Sequence, residues 1–223
     1  MTRAPFQEIV DRLREQAQHA PTEDEVLALE QQAALEARRA RGQAYHQALA
    51  RALPEPFRTM IHTPLDPTPG NQEARRLAEA FTLGRSMFLH GPPGVGKTHL
   101  ATRMLGRLTL EHGIKAHAWS WPDLLARLRD WRNSDRAPSI HEPDVLLIDD
   151  FDKGGGTEFV HERAYDVLQR VLARRSTIVT ANRSPLDTAA RLGLGDEENT
   201  AALVSRFRMF DTVLITGADR RRP

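Results

Sequence analysis

Residues 87–100 read MFLHGPPGVGKTHL, and this stretch decides which class of fold the chain adopts. From Gly91 to Thr98 it follows the phosphate-binding pattern G-x-x-x-x-G-K-[ST]. Glycine allows backbone conformations that other residues avoid, so the N–H groups of the loop can converge on phosphate oxygens. Lys97 supplies a positive charge for the β- and γ-phosphates, and the Thr98 hydroxyl is placed to ligate Mg²⁺. The pattern therefore predicts a nucleotide-binding site.

The segments on either side of this loop have the structure that the pattern requires. Residues 87–89 are an apolar run that predicts a buried strand, and residues 99–110 carry apolar positions at helical spacing. A strand, a loop and a helix in this order direct the positive end of the helix dipole at the phosphates. We expect these residues to contact the nucleotide: Gly91, Pro92, Pro93, Gly94, Val95, Gly96, Lys97, Thr98 and His99.

The composition of the 223 residues is that of a globular protein, with 40% hydrophobic and 27% charged residues. The chain has no cysteine, which rules out disulfides and cysteine-bound zinc and agrees with a cytoplasmic location. No apolar run is long enough to span a bilayer, and the N-terminus lacks a signal-peptide pattern. We therefore expect no membrane partner.

A second motif ends in two acidic residues. Residues 144–150 read DVLLIDD, and an apolar run without alternation is typical of a central parallel strand. The acids follow at the carboxyl end of the strand, where such sheets bind their ligands. The motif predicts a Walker B strand, in which Asp149 orients Mg²⁺ or its water and Asp150 polarises the attacking water as the catalytic base.

A third strand ends in a side-chain amide. Residues 177–180 predict another buried strand, and Asn182 follows it closely. ATPases with an additional strand hold their sensor 1 residue at such a position beside the acidic strand, and by this likeness Asn182 would orient the lytic water against the γ-phosphate. The alternative is an ordinary turn-forming asparagine before Ser184 and Pro185.

The N-terminal region predicts two helices. Residues 6–19 carry apolar side chains at helical spacing. Thr22 and Glu25 then form a capping-box pattern that begins a second helix, which extends to about Leu53. Whether Gly42 interrupts this helix is left open, because glycine is a poor helix former.

The domain boundary is predicted at residue 54, where a proline-rich segment begins that is either an extended linker or a wrapped loop. Residues 1–53 have too thin an apolar face to form a stable core alone. A solvated helical extension and a partner-docking region fit them equally well. Residues 54–223 would form the nucleotide-binding domain.

The remaining periodic segments complete one sheet and its helices. Two further short strands are predicted at residues 115–120 and 213–216. Helices are predicted at residues 71–81, 121–132, 159–175 and 198–210. The chain is therefore expected to be an α/β protein with five strands.

With the glycine-rich loop, the acidic strand and the Asn182 strand in this order, the chain resembles the AAA+ ATPases. More narrowly, it resembles the clade of bacterial DnaC/DnaI-type helicase loaders and IstB-type transposition helpers. The likeness rests on GPPGVGKTHLA at residues 91–101, on the run ending at Asp150 and on TANRS from Thr180. It implies a P-loop NTPase fold of the AAA+ type, with a parallel five-stranded sheet between helices and a small N-terminal helical extension.

The same resemblance implies functions for several arginines. Relatives carry an arginine finger in a late helix, and Arg206, in Ser-Arg-Phe, would contact the γ-phosphate bound to a neighbouring subunit, with Arg208 as the alternative. Relatives also insert a DNA-facing helix after the second strand, which residues 118–134 fit. Its candidate contacts to single-stranded DNA, a solvated face being the alternative, are Arg127, Arg129, Arg132 and Arg136.

The resemblance implies an ATPase that uses ATP and Mg²⁺ and self-associates through its ATP sites. The first hypothesis is a replicative helicase loader that engages a hexameric DNA helicase and single-stranded DNA. The second is a transposition helper that oligomerises on duplex DNA and recruits a transposase. A metabolic P-loop kinase fits less well, because of the Asp149–Asp150 pair and Asn182. A non-hydrolysing binding module fits less well, because Lys97 and Thr98 are also present.

Overall fold

The structure, a computed structural model, describes residues 22–55, 57–130, 143–154, 157–172 and 176–220. The predicted helix at residues 6–19 and the candidate DNA-binding residues Arg132 and Arg136 lie outside these ranges. In chain order the elements are α1 (Glu23–Ala52), α2 (Phe57–Met60), a 3₁₀ turn (Pro69–Asn71), α3 (Gln72–Glu79), β1 (Met87–His90), α4 (Lys97–His112), β2 (Ala116–Ser120), α5 (Trp121–Asp130), β3 (Val145–Asp149), α6 (Glu158–Leu172), β4 (Ser176–Ala181), α7 (Pro185–Leu192), α8 (Glu197–Phe207) and β5 (Asp211–Leu214).

The five strands form one sheet in the order β2-β3-β4-β1-β5, and every neighbouring pair is parallel. This confirms the predicted fold class. The carboxyl ends of parallel strands lie at the same edge of a sheet. The glycine-rich loop after β1, the acids that end β3 and the residues after β4 therefore meet at that edge.

Helices cover both faces of the sheet, and each face has its own hydrophobic core. Successive strand side chains alternate between faces, so Leu147 packs in one core while Leu146 and Ile148 pack in the other. The first core includes residues of α1, α3 and α4, and the second includes residues of α5, α6, α7 and α8. The glycine-rich loop is thus mounted on elements that are buried on both sides.

Helix α1 begins where the sequence predicts. The Thr22 side chain accepts from the N–H of Glu25, and the Glu25 side chain accepts from the N–H of Thr22, so the capping box is formed. The helix is continuous from Glu23 to Ala52, which settles the open question of an interruption at Gly42. Gly42 is buried in it, and a side chain there would overlap the backbone of α4.

Helix α1 lies antiparallel along α4, the helix that follows the glycine-rich loop. Arg38 Nη2 lies 2.7 Å from His112 Nδ1, and His46 Nδ1 lies 3.2 Å from the carbonyl oxygen of Gly106. Gly42 lies between these two contacts, at a point where the backbone of α1 comes close to the backbone of α4. The second half of the N-terminal region therefore packs on the nucleotide-binding domain.

The proline-rich segment wraps over the first core, which was one of its two predicted forms. Phe57, Ile61 and Leu65 are all buried in that core, together with Leu49 and Leu53 at the end of α1. These contacts join residues on both sides of residue 54. The structure therefore does not mark a domain boundary there, and the boundary stays a prediction.

Helix α7 has no counterpart in the sequence prediction. Ser184 caps it by accepting from the N–H of Asp187, and Pro185 occupies its first turn. Both are ordinary helix-start signals, whereas the sequence prediction has only a turn at this point, as the alternative to a sensor residue at Asn182. Within the described residues, no helix is both long and apolar enough to cross a membrane.

Candidate nucleotide-binding site

The glycine-rich loop has the backbone shape of a phosphate cradle. Gly91 has a φ of 144°, and a side chain there would overlap the carbonyl oxygen of Ile215. Gly96 has a φ of 99° and is the N-cap of α4. Because glycine has no side chain to cap a helix, residue 96 does not compete with an anion for the first N–H groups of α4.

Lys97 lies at the centre of the site and is only 6% exposed. Its Nζ donates to the carbonyl oxygens of Gly91 and Pro92, both at 2.8 Å, and to Asn182 Oδ1 at 2.9 Å. Burial lowers the pKa of Lys97, while the nearby carboxylates, Asp150 first among them, oppose that shift. Two residues predicted from separate motifs, Lys97 and Asn182, are thus hydrogen-bonded.

A pair of oxygen ligands lies beside the lysine. The Thr98 hydroxyl donates to Asp149 Oδ1 at 2.8 Å, and the Thr180 hydroxyl donates to the same oxygen. Burial raises the pKa of Asp149 to about 6, although the hydrogen bonds from Thr180 and Thr98 oppose the rise.

Thr98 and Asp149 suit Mg²⁺, which binds hard oxygens and takes few protein ligands when phosphates supply the others. Among the described residues, no group of three or more His, Cys, Asp or Glu side chains could form a metal cage from protein alone. A metal held jointly by this pair and by the phosphates of a nucleotide therefore fits the site.

Asp150 has an unusual backbone. Its φ is +56°, in the left-handed region, and its N–H donates to the Thr180 hydroxyl at 3.0 Å. Its carboxylate is one-third exposed and pairs with Lys153 Nζ at 3.0 Å. A non-glycine residue in this region is uncommon, and such residues cluster at functional sites. The geometry directs the predicted base away from the core and toward the open edge.

Sequence reasoning missed Asp152, a buried carboxylate in the same loop. Its Oδ1 accepts from the N–H of Asn182 at 3.2 Å, and its Oδ2 accepts from Arg183 Nη1 at 2.9 Å. Its backbone carbonyl accepts from Arg191 Nε at 3.1 Å. Asp152 therefore ties the acidic loop to the end of β4 and to α7, and it holds the backbone of Asn182. The only signal in the sequence is a third acid two positions after Asp150.

The other predicted residues lie apart from this network. His99 Nε2 is 2.6 Å from the carbonyl oxygen of Thr63, so its ring faces the segment before α3. Among the described residues, the hydrogen bonds and the ring contact of Arg206 are with α6 and α8, and Arg208 is exposed at the end of α8. The structure thus brings together Lys97, Thr98, Asp149, Asp150 and Asn182, whose catalytic roles stay predictions.

The candidate DNA-binding helix is α5. Arg127 and Arg129 are exposed on it, and each guanidinium lies over an aromatic ring. Arg127 Cζ is 5.0 Å from the ring centre of Trp119, and Arg129 Cζ is 4.9 Å from that of Phe159. An arginine stacked in this way keeps its N–H groups directed outward, where they can bind phosphates. Their contact with DNA stays a prediction.

Comparison with known proteins identifies relatives of the chain. The model of the family described as IstB-like ATP binding protein matches residues 80–222. An insertion-sequence ATP-binding protein of Mycobacterium tuberculosis is 31% identical over 106 residues, which are 46% of this chain and 42% of that protein. One from Geobacillus stearothermophilus is 28% identical over 151 residues, 62% of this chain and 58% of that protein. The chain spans about half the length of these curated relatives.

Solved structures share the fold. The DnaC helicase loader superposes with a TM-score of 0.61 at 23% identity, covering 73% of this chain and all of that one. DnaI gives 0.60 at 24% identity, over 76% and 95% of the two chains. AMPPCP-bound DnaA from Aquifex aeolicus gives 0.56 at 20% identity, over 70% and 50%. The arrangement of the sheet and its helices is therefore shared with these proteins.

Proposed function

The chain belongs to the family of IstB-like ATP-binding proteins, and on that premise we propose that it hydrolyses ATP with Mg²⁺ to assemble on DNA and recruit a partner protein. The observation that carries this proposal is the bonded network at the carboxyl edge of the sheet. Lys97 bonds to Asn182, and Thr98 bonds to Asp149. Groups suited to phosphate binding, metal binding and water orientation thus lie in one site.

In the proposed reaction, the loop N–H groups and Lys97 bind the phosphates and stabilise the charge that develops on them. Thr98 and Asp149 would hold Mg²⁺, which would supply positive charge that neutralises the phosphates. Asp150, on the open edge, accepts the proton of the attacking water, and Asn182 orients that water. The buried position of Lys97 keeps solvent from screening its charge.

Arg206 completes the site of a neighbouring copy in this proposal. Its match to the arginine-finger pattern supports the role, and so do its contacts, which lie on α6 and α8 rather than on its own glycine-rich loop. An arginine finger contributes about 10³–10⁵ to the rate. Hydrolysis is therefore expected to rise steeply as copies assemble.

The partner that we propose is a transposase, and the DNA is duplex. The curated relatives from Mycobacterium tuberculosis and Geobacillus stearothermophilus are both named for insertion sequences. The likeness to DnaC and DnaI concerns the fold, so the helicase-loader hypothesis is the alternative. The two functions differ in the DNA form that the ATP-bound protein binds, and residues 1–53 would be the docking region in either.

The test measures binding of the full chain to duplex and single-stranded DNA of one sequence, with and without ATP, at several salt concentrations. We expect tighter binding to duplex. The double variant Arg127→Ala/Arg129→Ala should bind more weakly, and the slope of log K against log salt should fall by about 1.8. The matched control is Arg39→Ala/Arg51→Ala, which removes the same charge from exposed positions of α1 and should keep the slope.

A preference for single-stranded DNA would favour the helicase-loader function. An unchanged salt slope in the Arg127→Ala/Arg129→Ala variant would mean that α5 presents only a solvated face. Equal binding with and without ATP would contradict a nucleotide-driven assembly on DNA.

A further inference from the structure

The side chain of Arg206 is held on three sides. Its Cζ lies over the Tyr165 ring, 3.8 Å from the ring centre, so the guanidinium packs against the aromatic face. Its Nη2 donates to Gln169 Oε1 at 3.1 Å, and its Nη1 donates to the carbonyl oxygen of Ala202 at 2.8 Å. Tyr165 and Gln169 lie one helical turn apart on α6, and Ala202 lies one turn before Arg206 on α8.

An arginine in this position has lost most of its rotamer freedom before any ligand arrives. A free arginine must become ordered when it binds a phosphate, which weakens its effect on the rate. Stacking on an aromatic ring leaves the edge of the guanidinium exposed, and the N–H groups not bonded to Gln169 and Ala202 can still donate. Such preorganised donors contribute most to charge stabilisation in a transition state.

Arg208 provides the internal comparison. It is two residues further along, at the C-cap of α8, and it is exposed. No hydrogen bond, ion pair or ring contact of its side chain is found within the described part of the chain. Of the two candidate fingers, only Arg206 is thus fixed in one orientation.

The platform that holds Arg206 is accessible to another molecule. Tyr165 and Ala202 line an open groove of about 570 Å³ between α6 and α8. Glu162, Asp166 and Glu198 also line it. The Tyr165 side of the contact is therefore open to another molecule.

We infer that Tyr165 and Gln169 are positioning residues for Arg206, holding its guanidinium ready for the ATP site of the next copy. The inference rests on the proposed role of Arg206 as a finger that acts between subunits. It adds two residues of α6 to that role and assigns the role to Arg206 rather than Arg208.

The test places the change only in the subunit that donates the finger. Acceptor chains carry Arg206→Ala, so their own sites are complete but they provide no finger. Donor chains carry Asp150→Asn, which silences their own sites while Arg206 remains. Each population alone should be inactive, and a mixture should regain ATP hydrolysis at acceptor sites. Donors are then compared with and without a second change at Tyr165 or Gln169.

Adding Tyr165→Leu to the donor should lower the regained hydrolysis by about 10–10²-fold, because a displaced group loses much of its catalytic effect. Adding Tyr165→Phe should restore it, since the ring face is kept. Gln169→Ala changes an exposed residue, so it should fold normally and should lower the regained rate less than Tyr165→Leu. The melting temperature and the ATP affinity of every donor are measured alongside the regained hydrolysis. If Tyr165 and Gln169 made a merely structural contact, their replacement would change the melting temperature but not the ATP affinity or the regained hydrolysis.

Full rescue by Tyr165→Leu and Gln169→Ala donors would overturn the inference and leave Arg206 as a finger. Equal losses with Tyr165→Phe and Tyr165→Leu would overturn it too, because the ring face would not be what matters. If the plain Asp150→Asn donor restores nothing, Arg206 is not a finger between subunits, and the proposed function loses that step together with this inference.

Discussion

Helix α4 takes part in two regions that are built in different ways. At its N-terminus, Lys97 and Thr98 make directional hydrogen bonds to Asn182 and Asp149, which come from distant parts of the chain. Along its length, α1 lies against it through the close approach of Gly42 to its backbone. Chemistry restricts which residue types can serve and at what spacing, whereas packing restricts only shape. The first region can therefore be predicted from motifs, and the second cannot.

The largest effect is expected at the first region. Lys97→Ala should lower ATP turnover by at least about 10²–10³-fold, because it removes a buried donor from the developing phosphate charge. Steady-state phosphate release measures the change, and ATP should no longer raise the melting temperature as it does for the unchanged chain. The melting temperature without ATP should stay close to its original value. Turnover at the original rate would remove the glycine-rich loop from the reaction.

Asp152 sharpens the comparison because it is buried like a packing residue but acts through hydrogen bonds. Asp152→Ala should lower kcat by about 10–10²-fold, since Asn182 loses the acceptor that holds its backbone. ATP affinity should change little, because among the described residues Asp152 makes no hydrogen bond to the glycine-rich loop or to Lys97, and its charge acts on Lys97 less strongly than those of Asp150 and Asp149. Asp152→Asn keeps an acceptor for the N–H of Asn182 but loses the charge that pairs with Arg183, so its kcat should be intermediate.

A stability measurement separates the two possible roles of Asp152. Asp152→Ala leaves the partly buried N–H of Asn182 without its acceptor, which costs up to about 1–3 kcal/mol of unfolding free energy. A loss of stability with an unchanged kcat would mean that Asp152 holds α7 to the sheet without positioning Asn182. A loss of kcat in both variants, larger in Asp152→Ala than in Asp152→Asn, would support a positioning role.

Most of the sheet and the candidate site could be predicted because each depends on local patterns. Continuous apolar runs locate β1, β3 and β4 to within one or two residues, and parallel pairing then brings their carboxyl ends together. Asp152 could not be found in this way. The backbone of Asp150, with its φ of +56°, turns the chain so that Asp152, two residues later, points inward. A third acid in a polar loop has no periodicity that would indicate its burial.

The contact between α1 and α4 escaped prediction for a related reason. The stripe of α1 that faces α4 contains Arg38, Gly42 and His46, spaced four residues apart. None of these is an apolar side chain, so hydrophobic periodicity reports a thin face. Local helix propensity also suggests that Gly42 weakens the helix. In the structure, the glycine instead allows the close approach of α1 to α4.

The smallest expected effect is that of Gly42→Ala on stability, and its sign tests whether close packing explains the glycine. Helix propensity alone predicts that Gly42→Ala stabilises the protein by about 0.5–1 kcal/mol. Packing predicts the opposite, because the added carbon would overlap the carbonyl oxygen of Leu110 and lie 2.9 Å from that of Thr109. Overpacking of this kind costs about 1–3 kcal/mol. Denaturant unfolding of the full chain measures the difference, and Gln43→Ala, at the exposed neighbouring position, should lie within about 0.5 kcal/mol of the original.

Gly106→Ala is the graded control on the opposite helix. A carbon added at Gly106 would lie 2.8 Å from Ile61 Cγ1, which belongs to a side chain that can rotate, whereas backbone atoms oppose Gly42. Gly42→Ala should therefore be the more destabilising of the two. ATP turnover per folded molecule should remain the same in both, because neither residue belongs to the network around Lys97. A stabilising Gly42→Ala would mean that α1 is only a solvated extension, and the two regions of α4 would then not form one folded unit.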